Sequence, residues 1–315
     1  MKNFIVLDVG GSSIKHGIMN EIGEVIECGN TPNVCSVISP EYDASVENHI
    51  DIFIDSIGKV VDEYKNKYEI KGIACSFPGA VDVKTGYIGG GSAVPCIHGP
   101  NVRELLEKRC GLRVAIENDA NCAGLAEGWI GAAKGVANYI CVVVGTGIGG
   151  CIVVNNEILR GKHLHGGEFG FMLIKDIEGD FGDANWSRIA STNALVERVA
   201  KAKGISKSEL NGKLVFEMAE NDQEVQSEID IWYSYLARGI FNLQYIIDPE
   251  KIIIGGAISA RDDFYEKLNE DLSKLKGTSA TLDIKVEKCV FNNESNLIGA
   301  LYHFLYVDSK IERSE

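Results

Sequence analysis

Three glycine-rich segments of this 315-residue chain each follow an apolar run: DVGGSS at 8–13, VGTGIGG at 144–150 and IGGAIS at 254–259. A phosphate group needs backbone N–H donors with no Cβ in the way, and glycine at a strand end supplies both the approach and a positive φ. One such loop is an ordinary turn. Three in one chain, two of them inside a repeated unit, point to nucleotide binding. Asp8, closing the first apolar run, is suited either to hold Mg²⁺ through water or to bond the turn beneath it. Asn118–Asp119 stands between an apolar run and ANCAGLAEGW. Asx residues are favoured helix N-caps there, yet a carboxylate at that point can also take a proton from a hydroxyl attacking a γ-phosphate. Glu168, between glycines in HGGEFGFM, can accept hydrogen bonds from two vicinal hydroxyls. His163 and His165 read as loop histidines.

GTGIGG also fits the GxGxxG dinucleotide pattern, which requires a helix to start at the loop. The residues that follow, CIVVNNEIL, are β-branched with an Asn–Asn turn and read as a strand. That context rules against a nicotinamide-dependent oxidoreductase. No GxxxxGK[ST] occurs, so a P-loop is excluded.

The elements that must position these residues follow from periodicity. FIVLDV, KHGIMN and VIECG read as three strands around a glycine loop and a turn at EIGE. Apolar residues at helical spacing (Ile50, Phe53, Ile54, Ile57, Val60, Val61, Tyr64) predict a helix over 49–68. KGIACSF and LRVAIEN read as strands, NVRELLEKRC and ANCAGLAEGW as helices. The opening theme then returns: YICVVV, GTGIG, GCIVVN, an NN turn and EILRG, with Gly145 matching Gly10. Helices dominate from about 186 to 247, with the acidic run 217–228 expected to be a solvated face. A strand KIIIGGAI, a helix, a strand within LDIKVEKCVF and a closing helix NLIGALYHFLYV complete the chain. Two related halves facing a cleft is the expected architecture.

Composition narrows the partners. The formal charge of −14 opposes binding to nucleic acid or anionic lipid. Nine cysteines form no CxxC pair and read as reduced thiols of a cytoplasmic protein. The short apolar start is broken at once by glycines, so it reads as a strand, not a signal peptide, and no run approaches a membrane span.

LDVGGSSIKHGI, SFPGAVD, AIENDANCAGLAE, VVVGTGIGGCI, GGEFG, DPEKIIIGGAI and NLIGALYHFL, in this order along nearly the whole chain, resemble the ROK family of sugar kinases and repressors. The resemblance implies an α/β, two-lobed actin-like ATPase (ribonuclease H-like) fold, with the ligand cleft between lobes 1–118 plus 296–315 and 119–295. It implies ATP and Mg²⁺ as cofactors, a hexose substrate phosphorylated at its 6-hydroxyl, and a homodimer. Asp119 would be the catalytic base. Asn118, Glu168, Gly79 and Ser92 would meet the sugar. Asp8, Gly10, Gly11, Ser12, Lys15, Gly145, Thr146 and Gly147 would surround the phosphates and metal, and Gly255, Gly256 and Ala257 the adenosine. Many members carry a histidine where Phe171 stands, followed by a CxCGxxGC zinc cluster. Here no cysteine lies between Cys151 and Cys289, so no zinc site is expected. A later sugar-contacting glutamate of the family is replaced near Ser187. These departures resemble the zinc-less branch of β-glucoside kinases, N-acetylmannosamine kinases and glucokinases. The family's repressors carry a winged helix ahead of the kinase-like body. A phosphate loop starting at Asp8 leaves no room for one, which disfavours a sugar-sensing regulator.

Overall fold

The computed structural model describes every residue except 40, 46, 178, 278–281, 292–293 and 312–315. The expected terminal piece 296–315 therefore extends at its end beyond the described residues. In chain order the elements are β1 (Asn3–Val9), β2 (Ser13–Asn20), β3 (Val25–Pro32), α1 (His49–Lys65), β4 (Ile70–Phe77), β5 (Ala80–Val81), β6 (Ile88–Gly89), α2 (Val102–Cys110), β7 (Val114–Asn118) and α3 (Asp119–Ile130). There follow β8 (Tyr139–Val144), β9 (Ile148–Val154), β10 (Glu157–Ile158), α4 (Trp186–Ala190), α5 (Thr192–Lys203), α6 (Gly212–Ala219), α7 (Gln223–Ile247), β11 (Lys251–Gly255), α8 (Phe264–Lys276), β12 (Val286–Lys288) and α9 (Ser295–Tyr302). A π-helical turn, His303–Asp308, continues α9.

The chain divides into two compact units, Met1–Ile130 with Gly161–His165 and Asn293–Glu315, and Gly131–Arg160 with Gly166–Asn292. The expected boundary at 118/119 moves past α3. This helix packs on α9 as well as on β7 and β4, so both helices stay with the first sheet.

In the first unit the strand order is β3-β2-β1-β4-β7, antiparallel through β1 and parallel from β1 to β7. The parallel strands are buried on both faces, as helix-covered parallel strands must be. Ile5, Leu7, Ile73, Cys75, Val114 and Ile116 join Phe53, Ile57 and Val61 of α1 and Leu106 of α2 in one apolar core. The opposite face meets the π-helical turn, where Phe304 packs against Phe4.

The second unit repeats the order as β10-β9-β8-β11-β12, with the same switch from antiparallel to parallel. Ile140, Val142, Val144, Ile252 and Ile254 pack on Trp232, Leu236, Ile240 and Leu243 of α7. Cys141, Cys151, Ile253 and Cys289 form a smaller core on the other face. The module inferred from the recurring strand–glycine loop–strand pattern is thus a real structural repeat, an α/β fold of the actin-like class. EILRG contributes only two strand residues and LDIKVEKCVF only three. The acidic run 217–228 is split between α6 and α7, with Val225 buried at the start of the second helix.

Candidate functional site

Asp8 is the penultimate residue of β1, directly across from Lys15 of β2. Its Oδ1 accepts from Ser76 Oγ at 2.9 Å and from Asn296 Nδ2 at 3.0 Å. Those two donors orient the carboxylate and leave Oδ2 for a further contact. The loop beyond it is tight: Gly10 N donates to the Ser13 carbonyl at 3.0 Å, and Asn33 Nδ2 donates to the Gly10 carbonyl at 2.8 Å. A Cβ on Gly11 would stand 2.6 Å from Ile38 Cδ1, so glycine lets the loop lie flat on its neighbour. Ser12 is exposed. One oriented carboxylate beside exposed loop backbone suits Mg²⁺, which keeps water and phosphate as its other ligands. Among the described residues no group of three or more His, Cys, Asp and Glu is placed to hold a metal.

At the β7–α3 junction the two Asx residues divide the work. Asn118 Oδ1 accepts from Asn121 N at 3.1 Å, capping α3, and its Nδ2 donates to the Gly79 carbonyl at 2.9 Å. Asp119, half-buried, is the first helical residue, and its Oδ1 accepts from Ala120 N at 2.8 Å. The cap therefore belongs to Asn118. Gly79 is held at φ +102°, and a side chain there would press on the Gly89 carbonyl and on His98 Cε1, each at 3.0 Å. His98 Nε2 lies 2.8 Å from Ser92 Oγ, which also accepts from Val94 N at 3.2 Å. Gly79, Ser92, Asn118 and Asp119 are thus brought together in the first unit. His98 joins them without having been anticipated, because an isolated loop histidine carries no signal of its own.

In the second unit the loop between β8 and β9 takes the same place in the module but is one residue shorter, with Val144 paired to Ile148 where Val9 pairs with Ile14. Gly145 N donates to the Gly147 carbonyl at 2.9 Å, and the Gly145 carbonyl accepts from Thr192 N at 3.0 Å at the start of α5. A cavity of about 380 Å³ opens here, lined by Val144, Gly145, Thr146, Thr192, Asn193, Val196, Lys207, Leu210, Asn211 and Ala257. Its lining mixes apolar Val196, Leu210 and Ala257 with the amides of Asn193 and Asn211, which suits a purine with its sugar. The missing side chain of Gly145 faces open space. Gly256, at φ +98°, comes so close to the end of β8 that a Cβ would overlap the Val144 carbonyl, and this approach places Ala257 on the cavity wall. Gly255 does not line the cavity. It is the last residue of β11, buried against Cys289. Lys207 is ion-paired with Glu197, so it is not a spare cation. Sequence reasoning missed Thr192, Asn193 and Asn211, whose type and setting look like ordinary helix starts.

Glu168 is exposed, one residue from Gly167 at φ +91°, while Phe169 anchors the loop in the core. Phe171 is exposed. Ser187, near which the family glutamate is replaced, pins the β8–β9 loop: its Oγ accepts from Ile148 N at 2.8 Å and lies 3.2 Å from the Ile148 carbonyl. Ser187→Ala should therefore lower the melting temperature by a few degrees, because a buried N–H left unpaired costs about 1–3 kcal/mol. The KM for ATP should rise several-fold and that for sugar should not move. A rise in sugar KM alone would instead place Ser187 in sugar binding.

The ROK family model matches residues 4–306. The chain belongs to the ROK family. It is 33% identical to a β-glucoside kinase of Listeria monocytogenes, over 97% of this chain and 98% of that protein. A ROK family protein of Streptococcus pneumoniae, solved in complex with sucrose, shares 32% identity with a TM-score of 0.84, covering 98% and 99% of the two chains. A Listeria monocytogenes structure described as a candidate N-acetylmannosamine kinase shares 32% identity with a TM-score of 0.86, covering 96% and 98%. The ROK assignment spans both units and every glycine loop described above.

Proposed function

We propose that this ROK protein is an ATP-dependent sugar kinase that transfers a phosphoryl group to the 6-hydroxyl of a glucose-like hexose, with a β-glucoside as the favoured acceptor. The observation that carries the reading is the β7–α3 junction. There Asn118 supplies the helix cap and a tie to Gly79, so the adjacent Asp119 carboxylate can serve the acceptor hydroxyl. Asp119 takes the hydroxyl proton as the oxygen attacks. Asn118, Glu168 and Ser92 orient the sugar, and the backbone of the Asp8–Ser12 and Gly145–Gly147 loops receives the phosphates. Asp8 would hold Mg²⁺, which when bound neutralises charge on the transferring group. Adenosine would occupy the cavity beside Ala257.

Acceptance of a C1 substituent draws support from relatives named β-glucoside kinases at a third identity over the full length, and from the sucrose held by the pneumococcal relative. The protein would act in the cytoplasm as a homodimer on small molecules, its −14 charge disfavouring nucleic acid and membranes.

ADP release with cellobiose, glucose and N-acetylmannosamine tests the proposal. The kcat/KM is expected to be highest for cellobiose and lowest for N-acetylmannosamine, and no ADP release above the sugar-free rate would end it. Ala257→Trp, filling the cavity, should raise the KM for ATP more than tenfold while sugar binding by calorimetry is unchanged. Unaltered ATP affinity would move the adenosine elsewhere.

A further inference from the structure

The segment ALYHFL ends α9 and enters the π-helical turn His303–Asp308. Such turns are rare and concentrate at functional sites. This one is anchored at its far end, where Asp308, 2% exposed, pairs with Arg113 and lies 3.9 Å from Arg103. Arg113 in turn covers the Phe304 ring at 4.3 Å. At its near end His303, 1% exposed, points Nδ1 at Oε2 of Glu117, 3.4 Å away, and Glu117 is 0% exposed. The two atoms stand at ion-pair distance but outside hydrogen-bond geometry, and because facing lone pairs would repel, one proton lies between them. The other oxygen of Glu117 accepts from Asn118 N at 2.8 Å and from Asn121 Nδ2 at 3.0 Å. A buried carboxylate thus spans the turn from which Asp119 projects, and a histidine of the last helical segment meets its second oxygen. Burial first, and then the carboxylates of Glu117, Asp8 and Asp119, push the Cys122 thiol well above its ordinary range, so the three acids crowd one region. A crowded, fully buried carboxylate needs every donor it can reach.

We propose that His303 is a positioning residue for the catalytic base: its Nδ1–H fixes Glu117, which in turn fixes the Asn118–Asp119 turn. The inference rests on the kinase reading for its kinetic readout. His303→Phe keeps the volume and removes the donor, whereas His303→Asn returns an amide N–H near the Nδ1 position. His303→Phe is expected to lower kcat at least tenfold with sugar KM within twofold. His303→Asn should recover to within about threefold of wild type, and Glu117→Gln/His303→Phe should be no slower than the worse single variant. A His303→Phe enzyme within twofold of wild type would overturn the proposal. So would a His303→Asn enzyme no better than His303→Phe at equal melting temperature. Should His303→Phe not fold, the isosteric Glu117→Gln decides, with a tenfold fall at wild-type melting temperature supporting the proposal and unchanged kcat refuting it. Wild-type protein inert towards every sugar would sink the kinase reading alone. The pair then stands or falls on amide exchange, since loss of the Nδ1 donor should speed exchange of the Asn121 side-chain amide.

Discussion

Asp119→Asn is expected to fold like the wild type, bind sugar with unchanged affinity and turn over about 10²–10⁴-fold more slowly, the usual worth of a positioned general base. In barrier terms that is roughly 3–5 kcal/mol. The structure makes the variant a clean one. The α3 cap is Asn118, whose Oδ1 takes Asn121 N, and the amide oxygen of the substituted side chain could still accept from Ala120 N where Asp119 Oδ1 now does. Helix, turn and Gly79 contact should all survive, so the loss falls on proton transfer. Sugar titration by calorimetry and the melting curve provide the controls. Residual kcat within tenfold of wild type would remove Asp119 from the role of base. A parallel loss of sugar affinity would recast it as a binding group. Asn118→Ala should behave differently: it removes the α3 cap, worth about 1 kcal/mol, together with the Gly79 tie, so stability and sugar affinity should fall together.

What the sequence disclosed was whatever depends on neighbours in the chain. The two hairpin modules were legible because β-branched apolar runs with glycine at their ends are local signals, and each dictates its own strand–loop–strand. The α1 helix announced itself through seven apolar positions, although it stops at Lys65, before Tyr68. What stayed hidden was pairing at a distance. Nothing in GDANWSRIAST says that Ser187 will bond Ile148, and nothing around Asn33 or Asn296 says they will reach Gly10 and Asp8. The cavity wall is built from Thr192, Asn193 and Asn211, the last of which caps α6, a task any surface helix requires. The unit boundary was misplaced for the same reason. The residues of α3 give no hint that their packing partner is a helix near the other end of the chain.

That distant partnership has the largest stability effect expected here. Gly299 of α9 is buried against α3, and a Cβ on it would overlap the Cys122 carbonyl outright. The partner atom is helix backbone, which cannot rotate aside like a side chain, so the two helices must separate. Gly299→Ala should cost about 3 kcal/mol, the upper part of the range for overpacking, and lower the melting temperature by roughly 5–10 °C. The damage should extend to function through two contacts carried by α9 and its continuation. Asn296 would draw away from Asp8, now 3.0 Å off, and His303 from Glu117, now 3.4 Å off. ATP-dependent turnover should therefore fall by more than the unfolded fraction explains, even well below the melting midpoint. Gly111→Asn is the appropriate control. Gly111 ends α2 at φ +65° with open space where a side chain would go, and Asn tolerates that conformation, so its melting temperature should stay within a few degrees of wild type. If Gly299→Ala melted like that control, close approach of α3 and α9 would not be what holds the first unit's acids in place.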